Sequence, residues 1–141
     1  MKKAIILLLS LILFSCATSV KKNVKKPLFE ILTEQSDGGA NIRFFEILSE
    51  PNEITMLQND EKLKHKINSN DIQNSNFIVL NLGEKTSEGY GVKVESVVET
   101  EKNIIITLKE ISPDKNAIST QVITTPYTIL KINSKKEIII K

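Results

Sequence analysis

The sequence predicts an α+β domain dominated by antiparallel strands, packed as a sandwich or a partly closed barrel with one short helix over an end. Three observations carry this reading. From Phe77 onward, successive segments are continuously apolar or alternate with period two, which is the pattern of strands. Phe29-Glu-Ile-Leu32 recurs as Phe45-Glu-Ile-Leu48 on either side of Asp37-Gly38-Gly39, where glycine accepts a left-handed turn without steric cost. Only the stretch after Ser49 combines a cap residue, early acids and a first-turn proline with inward apolar spacing.

Taken in order, the chain opens with an address. Lys2 and Lys3 precede an apolar run from Ala4 to Phe14, which is too short for the ~20 residues of a membrane span but fits the apolar region of a secretory signal. Leu13-Phe14-Ser15-Cys16 resembles the bacterial lipobox, in which a small residue precedes a cysteine that takes a diacylglycerol lipid and becomes the mature N-terminus. Phe14 departs from the small or β-branched residue usual there. Residues 1–16 are therefore expected to be a lipoprotein signal peptide and Cys16 the lipid attachment site, with palmitate among its acyl chains. This places the mature protein on a membrane of the bacterial cell envelope. Ala17, in place of the aspartate associated with inner-membrane retention, favours the outer membrane where there are two.

Cys16 is the only cysteine of the 141 residues, so no intramolecular disulfide is expected and the fold must hold by packing and hydrogen bonds. The chain has 19 Lys and Arg against 17 Asp and Glu. Without Lys2 and Lys3 the two signs balance, and nothing favours nucleic acid, whose phosphates require a surplus of cations. The remaining bias is local. Residues 17–27 carry Lys21, Lys22, Lys25 and Lys26 with too little apolar surface to offset the entropy of ordering, and read as a flexible tether. Its lysines either sit against anionic headgroups or merely keep a solvated linker extended.

Residues 28–141 are expected to form one β-rich domain. Phe29 to Leu32 and Phe45 to Leu48 are read as two antiparallel strands joined through Asp37-Gly38-Gly39. Ser49 is the expected N-cap of the helix that follows, with Pro51 in its first turn and Ile54, Leu57 and Met56 facing inward. From Asn59 to Asn76 the chain is polar, with a further helical turn expected around Glu61 to Lys66 because long structureless excursions are uncommon in compact domains. Phe77-Ile-Val-Leu-Asn-Leu82 reads as a central strand covered on both faces. Tyr90, Val92 and Val94 share one face of the next strand, and Ile104, Ile106 and Leu108 one face of its return, with a turn over Glu99 to Asn103. Ser112-Pro-Asp-Lys-Asn116 is a further turn. Val122 to Thr124 and Tyr127 to Ile132 give further strand, with Pro126 at a strand start. Glu137 to Lys141 is either a last edge strand or a frayed end, guarded against aggregation by Lys135, Lys136 and Lys141.

The residues disclose no reaction. His65, the single histidine, lies between Lys64 and Lys66 in a polar stretch and reads as a solvated loop residue. No Cys and His constellation for zinc and no Asp-rich calcium loop occurs, so no metal and no cofactor is expected. Serines such as Ser134, beside Lys135 and Lys136, lack the surroundings of a catalytic motif. Gly83 to Gly91 looks superficially like a phosphate loop, but it lacks the Gly-Lys-Ser/Thr spacing and leads into a strand. Gly83 and Gly89 are expected to permit tight backbone, and Gly91 to let a neighbour approach closely.

Thr86-Ser-Glu-Gly-Tyr-Gly-Val-Lys-Val-Glu-Ser-Val97, then Ile111-Ser-Pro113, then Thr125-Pro126-Tyr127 leading into Ile129 and Ile132, resembles the C-terminal domain of the PrcB family. That family is named for a lipoprotein subunit of a secreted bacterial protease complex. The resemblance covers residues 83–132, and Glu88-Gly89 stands where the family usually has Gly-Gly before the tyrosine. It implies a noncatalytic, β-rich accessory module associated with a secreted or envelope protease. The expected function is that of a membrane-anchored binding subunit and not an enzyme, offering a partner its terminal strands, Phe29 to Leu32 and Glu137 to Lys141, or Gly89, Tyr90, Gly91 and Tyr127. The rival is a small-ligand binder with a cavity under residues 83–91 walled by Phe77, Tyr90 and Tyr127. An enzyme using Glu84, Glu88 and Glu95 has no spacing to recommend it.

Overall fold

The computed structural model describes residues 26–114 and 121–141; the expected signal peptide, Cys16, nearly all of the tether, and Lys115 and Asn116 of the expected proline turn lie outside them. The elements run in the order β1 (Phe29–Gln35), β2 (Phe44–Leu48), α1 (Pro51–Leu57), α2 (Ser69–Asn74), β3 (Asn76–Asn81), β4 (Gly91–Glu99), β5 (Asn103–Ile111), β6 (Tyr127–Ile132) and β7 (Glu137–Ile140). They build two sheets, a four-stranded one ordered β1-β6-β3-β2 and a three-stranded one ordered β4-β5-β7. All pairings are antiparallel except that of β5 with β7. The α+β, largely antiparallel expectation holds, and of its two forms the sandwich is the one adopted: the described residues contain no closed barrel.

Alternation along β3 and β6 explains the layering. Ile78, Leu80, Leu130 and Ile132 point toward the second sheet and meet Val92, Ile104, Ile106 and Ile138 in one core. Phe77 and Ile129 point the opposite way and meet Ile54, Leu63 and Ile67 beneath the helical layer. β3 is thus covered on both faces, which is why its sequence is continuously apolar. Ile54 is fully buried, whereas Met56, expected inward, is 72% exposed.

Several expectations are corrected. There is no hairpin between the two Phe-Glu-Ile-Leu segments, because β1 pairs with β6 and β2 with β3, at opposite edges of one sheet. The reversal signal is real but is spent on a longer passage. Asp37 and Gly38 bind Thr125 ahead of β6, and Gly39 N donates to Thr125 O at 2.9 Å. Buried Asn81 at the end of β3 donates to Ala40 O and Ile42 O and accepts from Ala40 N. The loop is thereby stitched across the ends of two strands before β2 begins.

The helix is capped one residue later than expected. Glu50 is the N-cap, with Pro51 in the first turn and Glu53 reaching back to the amides of Glu50 and Ser49. The expected helical turn is present, with Lys64 N donating to Asp60 O, but a second helix, α2, was not foreseen. Its start is marked by Asn68, whose side chain accepts from the amides of Asn70 and Asp71. Val122 to Thr124 form no strand. Only Thr124 bridges to Lys85, and Ile123 is exposed. Gly91 has open space where a Cβ would lie, so no neighbour approaches it, while Gly83, with φ +71°, is pressed against the backbone of Arg43.

Candidate functional site

Three of the four contact residues suggested by the sequence come together. Tyr90, Gly91 and Tyr127 line a small cavity where β1, β4 and β6 meet, together with Gln35, Leu82 and Pro126. The strand registers put them there: Tyr127 opens β6 opposite Gln35, and Gly91 opens β4 opposite Ile111. Gly89 sits beside the cavity, its backbone turned by a φ of +92° and close to Pro113. Phe77, the third expected wall, lies fully buried in the helix-side core instead. Each tyrosine has a lysine beside it: Lys85 Nζ is 5.4 Å from the Tyr90 ring centre, and Lys62 Nζ meets the Tyr127 hydroxyl at 3.4 Å, 5.8 Å from the ring centre. Asp37, accepting from the Thr125 amide at 3.0 Å and hydroxyl at 2.8 Å, holds the loop beside them. The Thr125 hydroxyl, and then the amides of Gly38 and Thr125, keep the Asp37 carboxyl below the ordinary carboxylate range.

The cavity encloses about 110 Å³. Ligand pockets run to about 300 Å³ and more, so this space suits a few waters rather than a metabolite. Among the described residues no three His, Cys, Asp or Glu side chains converge on a point where a metal would bind. His65 is exposed, Glu84 and Glu88 are on the surface, and Glu95 faces Lys109 of β5 at 3.8 Å. No helix among the described residues is long and apolar enough to cross a membrane.

Both terminal strands offered as partner contacts are sheet edges, β1 in the larger sheet and β7 in the smaller. What sequence reading missed is the other edge of the larger sheet. Phe44, Glu46 and Leu48 of β2, Met56 and Leu57 of α1, and Val79 line an open groove of about 410 Å³. Phe44 is 37% exposed and Ile47, on the opposite face, 39%. The signal was present in the alternation of Phe44, Glu46 and Leu48, but a hairpin with β1 would have hidden that edge.

The geometry defines a class, a two-sheet β sandwich with helices on one outer face. Residues 76–133 match the protein-family model described as PrcB C-terminal. That segment, less than half of the chain, is thus similar to the PrcB C-terminal domain, in agreement with the Gly-Tyr and Thr-Pro-Tyr landmarks. It supplies β3 to β6, hence the inner strands of the larger sheet and two strands of the smaller; β1, β2, β7 and both helices lie outside it. No curated protein and no solved structure matches the chain.

Proposed function

We propose that this protein is a noncatalytic accessory subunit, held on the bacterial envelope by a lipid on Cys16, which binds a partner protein belonging to a protease complex. The single observation carrying this reading is the PrcB C-terminal match over residues 76–133, a family related to a protease complex subunit. The lipobox-like sequence ending in Cys16 supports the anchor. Open edge strands support a role in protein contact, since strand addition to a free edge is a recurrent recognition mode. The small-ligand reading has less support: the cavity that Tyr90 and Tyr127 line is only about 110 Å³, and the wider hollow of about 320 Å³ beside Thr86 and Ser87 is open, without the aromatic walls that reading requires.

The test is a purification from detergent-solubilised envelopes after mild cross-linking. A stoichiometric envelope or secreted protease in the cross-linked product is the expected result, together with a diacylated N-terminal cysteine by mass spectrometry and loss of membrane association in Cys16→Ser. Recovery of the chain without any stoichiometric partner sinks the accessory role; an unmodified thiol, or Met1 still in place, sinks the anchor.

A further inference from the structure

We propose that the free edge of β2, with the groove between it and α1, is a docking strip for an extended peptide segment carrying apolar side chains and lysine or arginine on one face. This deepens the accessory reading by naming the surface through which a partner protein is held.

An unpaired row of backbone amides and carbonyls invites another strand, and natural sheets blunt it with bulges, lysines, prolines or brevity. Among the described residues the two sheets have four outer strands. β1 carries a register break between Ile31 and Thr33. β4 carries one between Val94 and Ser96 and has Lys93 on it. β7 is four residues long and lies between Lys136 and Lys141. β2, five residues long, is short as well, but Phe44 to Leu48 pair with Asn81 to Phe77 in unbroken register with no lysine or proline among them, and its one charged side chain, Glu46, lines the groove.

The chemistry beside that edge specifies the occupant. The groove floor is apolar, formed by Phe44, Leu48, Met56, Leu57 and Val79, and its rim is acidic, formed by Glu46, Glu53 and Asp60. Glu53 and Asp60 each accept from backbone amides, so their oxygens are held in place while remaining exposed or half-buried. A strand laid against β2 sends alternate side chains over this groove. Leucines there would cover Phe44 and Met56, and cations at the ends would meet the rim.

A second copy of this chain fits poorly. Antiparallel pairing of two β2 edges about their centre would set Glu46 against Glu46, and like charges directly opposed across strands are destabilising. A basic segment of another protein removes that repulsion and replaces it with attraction.

The probe is a synthetic heptapeptide, Lys-Ser-Leu-Thr-Leu-Thr-Lys, titrated into the full chain while backbone amide signals are followed by NMR. Expected are shifts confined to β2 and α1, a Kd that weakens as salt rises, weaker binding when both peptide lysines become glutamate, and loss of binding when alternate peptide nitrogens are methylated. Glu46→Lys, an exposed site, should weaken the basic peptide roughly fivefold, the scale of a surface charge pair. Asp60→Asn, which keeps the acceptor for Lys62 N but not the charge, should weaken it by less. Equal binding of the basic and acidic peptides, shifts at β1, β4 or β7 instead, indifference to methylation, concentration-dependent pairing of the chain through β2, or no shift at millimolar peptide would each overturn the proposal. The two readings fail separately. If the wild-type chain captures an envelope protease but the peptide leaves the β2 and α1 signals unmoved, the docking strip is wrong and the accessory role stands; if the peptide binds at β2 but no protease is captured, the reverse holds.

Discussion

At the scale of single residues, Gly39 and Gly91 make opposite cases, and it is Gly39, read from the sequence as a turn residue, that has the close neighbours expected at Gly91. A Cβ on Gly39 would collide with Asn81 Oδ1 and come within 2.7 Å of Thr125 O, whereas one on Gly91 would meet nothing within 4 Å. Gly39→Ala is therefore expected to cost roughly 1–3 kcal/mol as an overpacked site, and Gly91→Ala to stay within about 0.5 kcal/mol of the wild type. Urea midpoints at unchanged slope check both. Asp37 supplies a pH dependence. Its folded pKa lies below the unfolded one because the bound carboxylate is favoured by Thr125 and Gly38. The stabilisation is thus present above the unfolded value and is lost as pH falls through the folded value. Glu30 is lowered in the same sense, chiefly by the Asn133 amide and, against partial burial, by Lys131. Below about pH 4, where carboxylates of this kind ordinarily titrate, the thermal midpoint should fall, and Asp37→Asn should fall less steeply over the same window.

At the scale of elements, α2 is tied to the sheet by a buried charge. Lys131 projects from β6 on the same face as Ile129, and its Nζ is 3.6 Å from Asp71 Oδ1 of α2 and 3.2 Å from Glu30 Oε2 of β1. The Lys131 and Asp71 side chains are 7% and 1% exposed. Asp71 also accepts from Asn68 N and so holds the helix start. Removing one member of such a pair leaves the other unpaired, so Lys131→Met alone should cost about 3–5 kcal/mol. Adding Asp71→Asn, which keeps an acceptor for Asn68 N and removes the stranded charge, should recover much of that loss. A double-mutant cycle in urea measures the coupling, and additive losses would mean that the two charges do not support each other. How far the elements were legible depends on this kind of partnership. β3, β4, β5 and β6 were readable because alternation or continuous apolarity encodes their covered faces. α2 was not, since Ile72 is its one large apolar residue and its stability derives from Asn68, Asp71 and a lysine on a distant strand. Val122 to Thr124 looked like strand by composition, but β-branched residues form strand only where a neighbour pairs with them.

At the scale of the whole molecule, β3 and β6 each contribute to both cores. Phe77 and Ile129 serve the helical side, and Ile78, Leu80, Leu130 and Ile132 the second sheet. Loosening one core must disturb the strands that build the other, so a single cooperative unfolding transition is expected. Phe77→Ala and Ile106→Ala, on opposite sides, should each lower the same midpoint, by about 3–5 and 2–5 kcal/mol. Far-ultraviolet dichroism and tyrosine fluorescence should remain superimposable in both variants; separate transitions would mean that the two layers fold as distinct units.

The sequence by itself determined the α+β class, the two-faced central strand, the one-faced strands of the smaller sheet and the PrcB-like landmarks. Each of these is a local pattern of apolar residues, glycine and proline that needs no knowledge of neighbours. The tertiary structure alone decided which strands became edges. The turn at Asp37-Gly38-Gly39 permits a hairpin as readily as a longer passage, and only the hydrogen bonds of Asp37 to Thr125 and of Asn81 to the loop, made across long stretches of chain, choose the passage. That choice separates β1 from β2, leaves β2 open beside α1, and so creates the acid-rimmed groove that no local pattern announces.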